Sequence, residues 1–212
     1  MGDNGTRLAV GAVVVASLAA AVLAFALYAG SRTPGDTSPE TGFARDMLVH
    51  HAQAVEMATI VADRTEDERI ETLATDMVLT QQAQIGQMQG WLADWGLSQV
   101  GPEPQMAWMG HALDDGERMP GMASPEELAE LREASPEQAD TLFLQLMISH
   151  HRSAIPMAEA ALERTDRPAV TRLAEAIRDA QEGEISLMED LLAERDAPVP
   201  EGGDGHGDHS SH

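Results

Sequence analysis

From residue 43 onward the chain repeats itself at a constant offset of 100 residues. Phe43, Met47, His50, His51, Ala54, Met57 and Ala58 realign on Phe143, Met147, His150, His151, Ala154, Met157 and Ala158. The register holds without a gap through Arg64-Thr65 on Arg164-Thr165 and Leu73-Ala74 on Leu173-Ala174. It continues with Gln81, Ile85, Met88 and Leu92 on Gln181, Ile185, Met188 and Leu192. Two copies of one pattern must build two copies of one local structure. That structure is helical, because Phe43, Met47, His50, Ala54, Met57 and Val61 step by three or four residues, as do their counterparts. A flanking stripe of Leu48, His51, Val55, Ala58 and Ala62 widens the apolar face to the width a bundle helix needs. The reading is all-α: two duplicated helical hairpins forming a four-helix bundle. With 43% hydrophobic but only 3% aromatic residues, the composition suits Leu/Ala/Val/Met helix packing rather than a β-sandwich or barrel.

Punctuation divides the chain. Ser38-Pro39, Ser124-Pro125 and Ser135-Pro136 each place an N-cap serine before a proline at the first helical position, and Gly96 suits a helix C-cap. Pro156 sits inside the third long helix and should remove one hydrogen bond there. The bundle is expected over 40–196, with repeat units at about 40–96 and 135–196, a Met-rich linker at 101–123 and a short helix at 124–134. A flexible tether precedes it at 31–39, and a disordered His-containing tail follows at 197–212. Residues 1–30 read as a signal anchor or a signal peptide. Leu8 to Gly30 is long enough to cross a ~30 Å hydrocarbon core as a helix, whereas cleavage near Ala24-Phe25-Ala26 would release the domain. Either way the bundle lies outside the cytoplasm, on a single-pass membrane helix or secreted.

The chemistry is narrowed by what is missing. A formal charge of −23 repels a phosphate backbone and excludes nucleic acid. Zero cysteines exclude disulfides, thiolate metal sites, iron–sulfur clusters and thiol catalysis. There is no phosphate loop, no His-Glu-x-x-His and no nucleophile elbow. Di-iron bundles use Glu-x-x-His, but the residue three before His50 and His150 is Met47 or Met147. Against this blank stand 12 Met and 8 His. Met47, His50 and Met57 share one helical stripe, as do Met147, His150 and Met157, with His51 and His151 adjacent. If the hairpins pack with approximate two-fold symmetry, these thioethers and imidazoles converge. Soft neutral donors of this kind favour Cu(I). The competing view is a core filled by Met and histidines bonded by Gln81 and Gln181, which interrupt the partner stripes. In the linker, Met106, Met109, His111, Met119 and Met122 crowd a segment read as exposed, which suits capture and hand-over of copper. His206, His209 and His212 recur every third residue and suit weak metal binding.

The paired Met-x-x-His-His segments, the Met119-Pro-Gly-Met122 linker and the Gln-x-x-x-Ile-x-x-Met helices resemble the bacterial domain-of-unknown-function 305 family. The resemblance covers roughly residues 40 to 195 and implies a ferritin-like four-helix bundle. Some members resemble exported copper-binding or copper-tolerance proteins. By that likeness the ligands are drawn from Met47, His50, His51, Met57, Met147, His150, His151, Met157 and the Met119/Met122 linker. The expected function is an exported copper-binding protein, chiefly for Cu(I), that buffers or transfers the metal rather than catalysing a reaction. A second copy of the chain or a metal-accepting protein would be its partner. Because Cu(I) among neutral ligands keeps its charge, sites at a bundle end or in the linker are favoured over a fully buried one. The rivals are a metal-free structural or interaction bundle and a ferritin-like metalloenzyme or haem bundle.

Overall fold

The computed structural model describes residues 11, 14–25 and 33–201. The chain divides into an N-terminal segment ending at Pro34 and a unit from Gly35 onward. In the first, residues 14–25 are helical. The expected span Leu8–Gly30 lies partly outside the described residues, and no described helix is long and apolar enough to cross a membrane. His206, His209 and His212 also lie outside them.

In the second unit the chain forms α1 (Pro39–Ala62), α2 (Glu68–Asp94), a 3-10 turn (Ala107–Met109), α3 (Pro125–Glu133), α4 (Pro136–Arg164) and α5 (Pro168–Ala193). No strand occurs among the described residues. α1 pairs with α2 and α4 with α5, and the two hairpins meet along α1 and α4, with α3 against both. This is the duplicated all-α bundle that the repeat requires.

Local chemistry sets the boundaries. The Ser38 side chain accepts from the Thr41 N–H, and Ser124 forms a reciprocal capping box with Glu127. These bonds satisfy helix N–H groups that have no partner within the helix. α2 ends in a Schellman turn: Gly96, at φ 71°, donates to Ala93, and Leu97 donates to Leu92 at 2.8 Å. One hundred residues later the same turn recurs with Asp196 in the left-handed position at φ 50°, and Ala197 donates to Leu192. Pro156 lies inside α4, where it leaves the Arg152 carbonyl without its helical donor.

The core falls into two apolar clusters. One joins Met57, Val61, Ile70 and Met77 of the first hairpin to Phe143, Leu144, Met147 and Met188 of the second. The other joins Phe43, Met47, Met88 and Leu92 to Met157, Ala161, Val170 and Ile177, and takes in Met106 and Met119 from the linker. Each cluster combines one half of α1 with the opposite half of α4, so the two helices run antiparallel about a local two-fold. Between the clusters lies a buried polar layer of His50, His51, Gln81, His150, His151 and Gln181.

The segments read as tether and tail are pinned where they adjoin the bundle. Arg45 binds the Asp36 carboxylate and the Ser98 carbonyl. At the equivalent position Gln145 donates to Pro198, while Arg152 donates to Pro200. Asp196→Gly removes a side chain from a left-handed backbone and should raise stability by about 0.5–1 kcal/mol, read from denaturant midpoints at constant m.

Candidate metal centre

The paired histidines occupy the middle of the bundle. His50, His51, His150 and His151 are all fully buried. The His50 and His150 rings face each other across the α1–α4 seam, with centroids 3.7 Å apart. One residue further on, each second histidine turns to the neighbouring helix of its own hairpin, as the ~100° step between adjacent helical residues demands. His51 Nε2 lies 2.7 Å from Gln84 Oε1, and His151 Nε2 lies 2.6 Å from Glu184 Oε2.

Hydrogen bonding settles which ring nitrogens remain available. The Ser153 hydroxyl donates to the His150 carbonyl at 2.7 Å, so it can only accept from His50 Nε2–H at 3.0 Å. In that tautomer the His50 lone pair is on Nδ1. Carbonyl and carboxylate oxygens likewise accept from Nε2–H of His51 and His151. Nδ1 of His50, His51 and His151 has no hydrogen-bond partner, and His150 has no side-chain partner at either nitrogen, with the His50 backbone as its polar neighbour. Burial drives His50 down to about 3 and His51 to about 4, and it pushes His150 well below its ordinary value of 6.5. The imidazole form of these three rings is therefore the one present at neutral pH. A buried imidazole lone pair without a donor carries a desolvation cost, and it is also the form a metal ion requires.

The methionines are arranged differently from the expected convergence. Met47 and Met157 lie in one apolar cluster, and Met57 and Met147 in the other. Ten helical residues, roughly 15 Å, separate Met47 from Met57, so one ion cannot take all four thioethers. Met47 and Met147 lie one turn from the histidines; Met57 and Met157 lie two turns away. Nor are Gln81 and Gln181 the histidines' partners. Both are buried with Oε1 unpaired, and Gln84 and Glu184, three residues further along the same face, take that role. Among the described residues no three His, Asp or Glu side chains are grouped so as to hold a metal ion. A site here would need thioether as well as imidazole ligands.

The sequence matches the DUF305 family, a domain of unknown function, over residues 40–192. The chain belongs to this family. Among solved structures, a DUF305 protein of Streptomyces coelicolor described as secreted is 46% identical, with TM-score 0.74, over 78% of this chain and 99% of that one. A DUF305 fragment from Deinococcus radiodurans is 37% identical, with TM-score 0.63, over 74% of this chain and 96% of the fragment. CopM in its Cu(II)-bound form shares the fold at 24% identity and TM-score 0.59, over 74% of this chain and 97% of CopM. An uncharacterized mimivirus protein, L153, is 43% identical over 42 residues, which are 20% of this chain and 28% of that protein.

In this DUF305 domain the linker is folded down rather than exposed. Met106 and Met119 are buried, Met109 and Met122 pack against the same cluster, and His111 is exposed. One carboxylate anchors it: Asp46 Oδ2 accepts from the Met106 N–H and from Trp108 Nε1–H, both at 2.8 Å. Gln53 closes the far end by a two-way bond with the backbone of Ala123. At φ 74°, Gly121 lies so close to α4 that a Cβ would overlap the Ser153 hydroxyl. Met106, Met109 and His111 line a cleft of about 420 Å³ with Ser149, Arg152 and Ser153. Ser153 thus touches the cleft on one side and His50 on the other.

Two outcomes follow from this geometry. The folded chain refuses protons that the unfolded histidines accept below 6.5. Stability should therefore fall as pH drops from about 6.5 toward 4, by up to about 1.4 kcal/mol per pH unit for each such histidine. Urea unfolding at stepped pH measures the slope. Asp46→Ala strands two donors and should cost about 2–4 kcal/mol, with Trp108 fluorescence reporting release of the linker.

Proposed function

We propose that this DUF305 protein binds copper, chiefly Cu(I), outside the cytoplasm and buffers or passes on the ion. One observation carries the reading: a buried layer of four imidazoles, each keeping Nδ1 without a side-chain partner, with thioethers one turn away. A layer serving only to fix helix register would be hydrogen-bonded throughout. Neither nitrogen of His150 has a side-chain partner. Imidazole and thioether together match a soft monovalent ion better than calcium or magnesium, which demand oxygen. Support comes from CopM, described in Cu(I)-, Cu(II)- and silver-bound forms. The secreted description of the Streptomyces relative supports export, for which Leu8–Gly30 would be the signal.

The buried layer would hold the ion through two of the imidazoles His50, His51, His150 and His151, with Met47 or Met147 as thioether ligand. Met106, Met109 and His111 would receive it at the cleft, with Met119 and Met122 further along the same linker. The full-length chain should compete with a chromophoric Cu(I) chelator. Saturation should raise stability by about 2.7 kcal/mol at a hundredfold excess over Kd. His50→Leu with His150→Leu should abolish competition. Retained competition would move the site to the linker, where Met→Leu changes conserve volume and should then abolish it. A wild-type chain that leaves the chelator complex intact refutes the copper reading.

A further inference from the structure

We propose that Glu184 breaks the functional equivalence of the two halves and directs the ion to the one built by α4 and α5. This rests on the copper reading and names the place within that layer. Two independent asymmetries point the same way. The first is the partner of the second histidine. Positions 84 and 184 are equivalent in the repeat, but one carries an amide and the other a carboxylate, each at hydrogen-bond distance from Nε2 of its histidine. A metal-bound histidine commonly donates its other N–H to a carboxylate, which orients the ring and strengthens its lone pair. A carboxylate can also supply the negative charge that a cation among neutral imidazoles and thioethers otherwise lacks; an amide cannot.

The second asymmetry is the partner of the first histidine. Ser153 occupies His50 Nε2, whereas the equivalent position on the other helix is Gln53, turned away to hold Ala123. His150 is left without a side-chain partner at either nitrogen in a fully buried site. The unengaged imidazole and the carboxylate-supported one are thus neighbours on α4, with ring centroids 6.3 Å apart. That spacing leaves room for one ion bonded to both rings at about 2 Å. Met147, three residues before His150, supplies the nearest thioether on the same helix. Glu184 does not touch the ion; it is a positioning residue acting through His151.

The probe is Ag(I), a diamagnetic substitute for Cu(I), added below stoichiometry to the full-length chain while the imidazole nitrogens are followed by 15N NMR. His150 and His151 Nδ1 should shift ahead of His50 and His51; equal shifts in both pairs, or earlier shifts of His51, overturn the proposal. Independently, Glu184→Gln should weaken Cu(I) binding by about 10–100-fold in chelator competition. The metal-free melting temperature should barely move, because glutamine fills this position in the other half. Unchanged affinity overturns the inference and leaves copper binding standing. A wild-type chain that takes up neither Ag(I) nor Cu(I) removes both.

Discussion

The bundle is organised around a polar layer that hydrocarbon packing alone would not choose. Four imidazoles and two carboxamides lie between two apolar clusters, each cluster built from one half of every long helix. Sliding α1 along α4 by one turn would carry His50 from the face of His150 into a methionine-lined cluster, burying imidazole against hydrocarbon. That penalty fixes the stagger of the hairpins more sharply than Leu, Ala and Met contacts could, since those tolerate repacking. The local two-fold passes through the layer, so both copies of the motif meet at one place.

Duplication supplies two equal halves, but one linker cannot be shared equally, and its anchors show where the halves had to diverge. Asp46 holds Met106 and Trp108; its counterpart Leu146 packs against the core instead. Gln53 clamps Ala123, whereas Ser153 is small enough to admit Gly121. Arg64 and Arg164 are used twice, for different carbonyls: Arg64 reaches the end of α3 at Leu131, and Arg164 reaches Met109. The divergence that seats the linker also leaves His150 without a side-chain partner, because Ser153 serves His50 while Gln53 faces away. The uneven hydrogen bonding of the histidines is therefore a consequence of closing a symmetric bundle with a single strap.

Much of the fold could be read directly because it rests on short-range chemistry. Helical spacing, serine–proline starts and the repeat register lead to α1, α2, α4 and α5 within a few residues, and Gly96 marks its Schellman turn. Burial of the histidines was also legible, since His50 and His150 occupy the innermost stripe. Their partners were not. Gln81 interrupts an apolar stripe and draws the eye, yet Gln84, one turn on and on the stripe's edge, meets His51. Only the hairpin's rotation decides between them, and that is set by packing across helices. The visible signal was the acid at 184 opposite the amide at 84, one of several charge differences between the two copies of the repeat. The linker misled for a related reason: its Gly and Pro residues suggest mobility, but side chains distant in sequence, Asp46 and Gln53 of α1 and Arg164 of α4, tie it down.

The separation of the methionines bears on which ion such a layer can accept. Neutral ligands leave the full ionic charge to be solvated by the protein, and the cost of burying charge grows as its square. A monovalent ion is therefore far less costly here than a divalent one. With Met47 and Met57 on opposite sides of the layer, an ion beside the imidazoles, as proposed, would take its thioether from Met47 or Met147, leaving the outer pair, Met57 and Met157, in the hydrocarbon. Few soft donors and a weakly polar surround favour low coordination numbers, which Cu(I) and Ag(I) tolerate and octahedral ions do not. An ion so held would remain close to a way out: Ser153 joins the layer to a cleft lined by Met106, Met109 and His111. Thioethers there would offer similar bonds at lower desolvation cost, so the proposed ion would have a route outward by small steps in affinity. A carrier that must release its ion needs such steps, whereas a storage core would gain from a single deep site.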